Sequence, residues 1–104
     1  MDTMDEIRLT AEQLKHLANE ALCAIREHNE LAIDEILKLR EPLLESVRGY
    51  VHELPELVAA CPAIHEAAFL EASVAEAARQ RRDSLYNEWM DVRQRSALRK
   101  AYDN

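Results

Sequence analysis

Glycine is nearly missing from this chain: Gly49 is the only one in 104 residues, and proline occurs only as Pro42, Pro55 and Pro62. A chain so poor in turn formers is not a sheet protein built from many tight hairpins. Aromatic residues make up 5 % of the sequence, so a core must be assembled from Leu, Ile, Val and Ala. Two cysteines, Cys23 and Cys61, are too few for a disulfide framework. Both adjoin alanine, and they are expected to be small buried hydrophobes in a reducing cytoplasm. No apolar run approaches the roughly 20 residues of a membrane span. The N-terminal Met-Asp-Thr-Met-Asp-Glu-Ile is acidic and has no apolar signal core. These absences lead to the expectation of one cytoplasmic domain over residues 1–104, without membrane insertion.

Hydrophobic residues form 48 % of the chain and charged residues 32 %, a mixture suited to helices with one wet face. The net charge of −7 is uneven. Residues 1–78 hold 16 acidic and 6 basic side chains, whereas residues 79–104 hold 4 acidic and 7 basic ones. The acidic body argues against nucleic-acid binding. The basic end suits an acidic partner, or the C-terminal end of a helix dipole.

Hydrophobic spacing predicts three helices, at about 10–28, 30–54 and 62–102, packed as an all-α antiparallel three-helix bundle with a long C-terminal helix. Thr10-Ala11-Glu12-Gln13 fits a capping box, with Leu9 and Leu14 at the staple positions. Residues 1–9 then form a frayed lead-in. Leu14, Leu17, Ala18, Ala21, Leu22 and Ile25 make the first stripe, and Asn29 is placed to cap the second helix. That helix carries two apolar rows, one from Ile33 and Leu37 to Leu54 and one of Ile36, Leu43 and Tyr50. Such a broad face suits a helix packed against two neighbours. Pro42 is expected to kink it, and Gly49 to mark a close helix approach. Leu57 and Val58, in the 55–62 connection, are expected to plug the end of the bundle.

From Pro62 onward, some forty residues lack both Pro and Gly. Ile64, Ala67, Leu70, Val74, Ala78, Leu85, Trp89 and Val92 recur at helical spacing. The resulting helix is on the order of 60 Å long, too long for the others to cover. Equal rise per residue takes the second helix to about Glu88, leaving residues 89–104 to overhang. The overhang holds Trp89, Val92, Leu98 and Tyr102, types that suit helix docking, although Trp89 also fits the core. Arg40 and Arg81 interrupt apolar stripes and are expected to snorkel to the rim, with Asp34, Glu35 or Glu41 within reach of Arg81.

Chemistry is weakly signalled. His16, Cys23 and His28 step by seven and five, not the i, i+4 spacing of a helical zinc pair, and Cys61 and His65 have no second pair beside them. The helical serines lack a nucleophile turn and a neighbouring His. No catalytic, metal or cofactor site is expected.

One family comes into view. Residues 31–47, Leu-Ala-Ile-Asp-Glu-Ile-Leu-Lys-Leu-Arg-Glu-Pro-Leu-Leu-Glu-Ser-Val, resemble the second helix of FliT-type flagellar export chaperones, with Arg40 followed by the pair Leu43 and Leu44. The close at residues 95–102, Arg-Ser-Ala-Leu-Arg-Lys-Ala-Tyr, resembles the basic end of that family's long third helix. The resemblance implies a cytoplasmic chaperone that binds the C-terminal segment of the filament-cap protein, keeps it unassembled and delivers it to the type III export apparatus. In some bacteria such chaperones also bind a flagellar transcription regulator. Leu85, Trp89, Val92, Leu98 and Tyr102 are the expected partner-binding residues. Longer members carry a further helix over the binding surface; without one, the strip is expected to be open or used for self-association. A helical regulatory module acting as a homodimer is the alternative.

Overall fold

A computed structural model describes residues 2–103. Four helices follow in order: α1 (Thr3–Arg26), α2 (Glu30–Glu53), the short α3 (Pro55–Ala59) and α4 (Pro62–Asp103). The long helices α1, α2 and α4 pack into an all-α up-down-up bundle, and no described residue is in a strand. The molecule measures 73 × 21 × 17 Å. Its length is set by α4, whose 42 residues give about 63 Å of helix.

The first helix starts at Thr3, not at Thr10. Thr10 is buried inside α1, and its hydroxyl donates to the Glu6 carbonyl (3.0 Å) instead of capping anything. The capping box is overridden by tertiary packing. Ile7, in the supposed lead-in, has no exposed surface and packs with Ala11, Cys61, Ala63 and Ile64. That burial outweighs a local cap worth about 1 kcal/mol. Leu9 points outward, so no staple forms.

The central helix is α1, not α2. Eight residues of α1 are buried, against Ile36 alone in α2. Ala11, Ala18, Ala21 and Ala24 keep α1 slim, and α2 and α4 both pack closely on it. α2 and α4 hardly touch each other, and Leu37, Leu39 and Val51 of α2 stay exposed. The core has two centres. One, at the α3 end, combines Ile7, Ala11, Cys61 and Ile64 with the half-buried Val47, Tyr50, Leu57 and Val58. The other joins Ala18, Ala21 and Ile25 to Ile36 and Val74. Leu57 and Val58 thus close the end of the bundle as expected.

The α1–α2 turn shows how little a short loop needs. His28 sits at φ 57°, in the left-handed region. The Asn29 amide reaches the Ala24 carbonyl (2.9 Å) and the His28 amide reaches that of Ile25 (3.2 Å). These two bonds are the Schellman pattern, here without glycine. The Asn29 side chain then caps α2 by accepting from the Ala32 amide at 3.2 Å. Pro42 lies inside a single continuous α2. Gly49 marks no close approach: a Cβ there would meet nothing within 4 Å. Cys61 is buried, but Cys23 is exposed.

Candidate docking surface on the overhanging helix

The register between α2 and α4 fixes where the bundle stops. Arg40 on α2 meets Glu71 on α4, Nε to Oε2, at 3.0 Å. Counting antiparallel from that pair, Glu30 at the start of α2 comes level with Arg81. Cover by α2 therefore ends about two turns earlier than Glu88. The reason is α3: this helical turn brings the chain back along α2 before Pro62 begins α4. The first core centre shows the result, with Cys61 and Ile64 beside Val47 and Tyr50 rather than beyond Leu54.

Arg40 accordingly has a partner, Glu71, and does not simply snorkel. Both side chains are mostly removed from water, and the pair lacks the alignment of a hydrogen bond; Arg40 Nε and Glu71 Oε1 are buried without one. Arg81 Nε is likewise buried without a hydrogen-bond partner among the described residues. The corrected register moves Arg81 away from Leu37 and Lys38, toward the start of α2.

Beyond Arg81, every residue from Arg82 to Tyr102 is exposed except the half-buried Met90. The inward row of α4 runs through Ala67, Leu70, Val74 and Ala77, with Ala78 turned outward. At 3.6 residues per turn, Leu85 and Val92 continue that same face, and Trp89 lies at its edge, close to the line of Ala78. They are the extension of a core stripe into a region where no core exists. Trp89 is 54 % exposed and so belongs to the surface, not to the intramolecular core. It lies between Tyr86, with ring centroids 6.2 Å apart, and Arg93, whose guanidinium carbon is 5.3 Å from the Trp89 ring centroid. Tyr86 and Arg93 were not among the expected site residues; their signal was the i−3 and i+4 spacing from Trp89.

Leu98 and Tyr102 are also exposed, but on another side. Nine residues, or two and a half turns, separate Trp89 from Leu98, so these side chains leave α4 in opposite directions. The helix therefore carries two apolar groups: Leu85 and Val92 on the inward-continuing face with Trp89 at its edge, and Leu98 with Tyr102 on the far face. Basic residues flank both. Residues 92–102 hold Arg93, Arg95, Arg99 and Lys100 and no acid. Arg95 is tied to Asp91 at 2.8 Å.

A second apolar surface lies between α1 and α2. It is a shallow groove of about 500 Å³ lined by Leu17, Leu39, Pro42 and Leu43, with Glu12 and His16 at its rim. Among the described residues, no three His, Cys, Asp or Glu side chains converge as metal ligands would. No described helix is long and apolar enough to cross a membrane. Most exposed ion pairs lie within one helix, but Lys15 on α1 also bridges to Glu66 on α4. Glu66 and Glu12 hydrogen-bond Lys15 and hold its ammonium pKa above the usual value. Arg79 holds the Glu76 carboxyl below the usual range, chiefly through hydrogen bonding. Comparison with protein-family models, with characterised proteins and with solved structures finds no match for this chain.

Proposed function

We propose that the protein is a non-enzymatic cytoplasmic chaperone of the FliT export type. It holds the C-terminal segment of a filament-cap protein unassembled and hands it to the flagellar type III export apparatus. The observation that supports this reading most is the continuation of the α4 core stripe into open solvent. Leu85, Trp89 and Val92 form a ready-made half of a helix–helix interface, carried on a rigid bundle that keeps it exposed. A client whose own assembly partner is missing presents the complementary half. The aromatic and arginine residues around Trp89 are the types that dominate binding energy at such surfaces. Leu98 and Tyr102, on the far face, engage a client only if it crosses over α4 toward its end.

The test is calorimetric titration of the chain with the C-terminal segment of the filament-cap protein from the same organism. Saturable binding near one-to-one, with a negative heat-capacity change from apolar burial, is the expected outcome. Trp89→Ala should weaken it at least tenfold and leave the helical circular dichroism unchanged. No heat at about 100 μM protein would place any affinity weaker than roughly millimolar and remove the chaperone reading.

A further inference from the structure

We infer that the apolar groove between α1 and α2 is a second docking surface, and that its occupant is a basic amphipathic helix of a partner protein. This face is separate from the α4 overhang and takes its partner whichever client the overhang holds.

The groove extends well beyond its widest part. The hollow of about 500 Å³ at Leu17, Leu39 and Pro42 meets a second hollow of about 370 Å³, lined by Ala24, Ala32 and Ile36, and His16 borders both. At the other end Leu9, 51 % exposed, stands four and seven residues before Gln13 and His16, on the same side of α1. From Leu9 to Glu27 the groove follows α1 for about 27 Å, the length of a helix of roughly 18 residues. Its apolar rows come from two helices, and Leu39 on the α2 row is 61 % exposed. A third helix laid between the rows meets both with side chains at spacings of three and four, as helices pack on helices.

The charge of the rim selects the partner. Glu12, Glu20 and Glu27 border the two hollows along α1, and no Lys or Arg lines either of them. Glu35, four residues before Leu39, adds a carboxylate on the α2 side. Lys38 lies on α2 between Glu35 and Glu41 but lines neither hollow. Internal cations leave this rim largely acidic. Glu12 shares Lys15 with Glu66, and Glu20 has the His16 imidazole at 2.9 Å. Glu27 and Glu35 have no ion pair among the described residues. An acidic helix would meet like charge on both walls. A basic one sets Arg or Lys against these carboxylates while its apolar side covers Leu9, Leu17 and Leu39. Pro42 acts in the same sense. It lines the groove and has no N–H to give the Lys38 carbonyl, which is left for a donor from outside α2. Arginine and lysine side chains are donors only, so the backbone of this wall favours the same partner as its carboxylates.

The test is titration of the full chain with a dye-labelled probe peptide of roughly 18 residues, built of Leu, Ala and Arg, with Leu at helical spacing and Arg on both flanks. The same peptide with Glu for every Arg is the control. The Arg peptide should bind one-to-one and saturably below about 100 μM in about 0.15 M salt, more weakly in higher salt, and the Glu peptide should not bind. Leu39→Glu, at an exposed position, should weaken binding about tenfold. Glu12→Gln, Glu20→Gln and Glu27→Gln together should weaken it about fivefold and flatten its salt dependence. Leu98→Glu, on the overhang, should leave it unchanged. Cys23 gives a separate readout. It is exposed on the groove wall while Cys61 is buried, so iodoacetamide reaches Cys23 first, and bound peptide should slow that alkylation. No binding of the Arg peptide, equal binding of the Glu peptide, or binding that neither Leu39→Glu nor Cys23 registers would overturn the inference. A chain that self-associates in sedimentation, and that Leu39→Glu returns to monomer, would give the groove to a second copy and overturn it as well. The titration uses no filament-cap segment, so its outcome stands apart from the calorimetric test of the chaperone reading.

Discussion

One helix, α4, exists in two environments. From Pro62 to Arg81 it is the third wall of a bundle, with Ala63, Ile64, Ala67 and Val74 buried against α1 and α2. From Arg82 to Tyr102 the same helix stands in solvent and carries Trp89, Val92, Leu98 and Tyr102 exposed. The chain shows no break between the halves in helix-forming composition. What differs is cover: α1 and α2 end at the level of Arg81. A stripe that stabilises the first half by burial becomes, in the second, a surface available for association. Packing needs apolar spacing on both sides of an interface, and a sequence shows only one side at a time.

Substitutions should separate the halves sharply. The largest effect is expected at the fully buried start of the bundle: Ile7→Ala should cost about 2–5 kcal/mol by urea denaturation, because it opens a cavity against Cys61 and Ile64. A loss under about 0.5 kcal/mol would mean that the first turns of α1 are not packed as described. Next comes the α2–α4 register pair. Glu71→Ala leaves Arg40 without its counter-charge and should cost about 1–3 kcal/mol. Arg40→Leu with Glu71→Leu should be near neutral or stabilising, since two partly buried charges give way to apolar packing. If both variants lose stability equally, the ion pair is not what holds that seam.

His28→Gly should stabilise by up to about 1 kcal/mol, because glycine adopts the left-handed conformation without the Cβ clash. In the overhang, Leu85→Ala and Trp89→Ala should change the unfolding free energy of the monomer by no more than about 0.5 kcal/mol. Hydrogen exchange at low protein concentration gives a second readout. Amides at 64–78 should be protected near the global limit, and those at 86–100 should exchange far faster, as in an isolated helix. Equal protection would end the comparison by showing that something covers both halves.

The smallest effect belongs to surface charge. The Glu76 pKa is lowered in the folded chain, so its contribution is present above the unfolded carboxylate range and is lost as pH falls through the folded value. Thermal scans of Glu76→Gln should show a slight destabilisation at pH 7 that fades below about pH 4 and in high salt.

Much of the architecture was legible in the sequence. The Pro62 start, the Asn29 cap and the Leu57–Val58 plug follow from local chemistry and appear where the pattern puts them. Thr10 was misread because its capping signal is local while the burial of Ile7 is not. Gly49 and Cys23 were misread because residue type gave no sign of which face would be covered. On the candidate surface, the exposure of Trp89 followed from the length mismatch. The two-sided placement of Trp89 and Leu98 followed from helical period but needed α4 to stay unbroken through both.

Composition and period by themselves determined that this chain is helical, that its helices have these lengths within a turn or two, and that the last outruns the others. These are properties of single segments: propensity, spacing and the rarity of Gly and Pro. Only the tertiary structure decided which helix lies at the centre, where α4 leaves the bundle, and which charges are paired. Those depend on the offset between helices, and here the offset is set by the short α3 turn and the slim alanine rows of α1. A shift of two turns in that offset moves the end of the core from Glu88 to Arg81 and turns Leu85 from a core residue into a surface one.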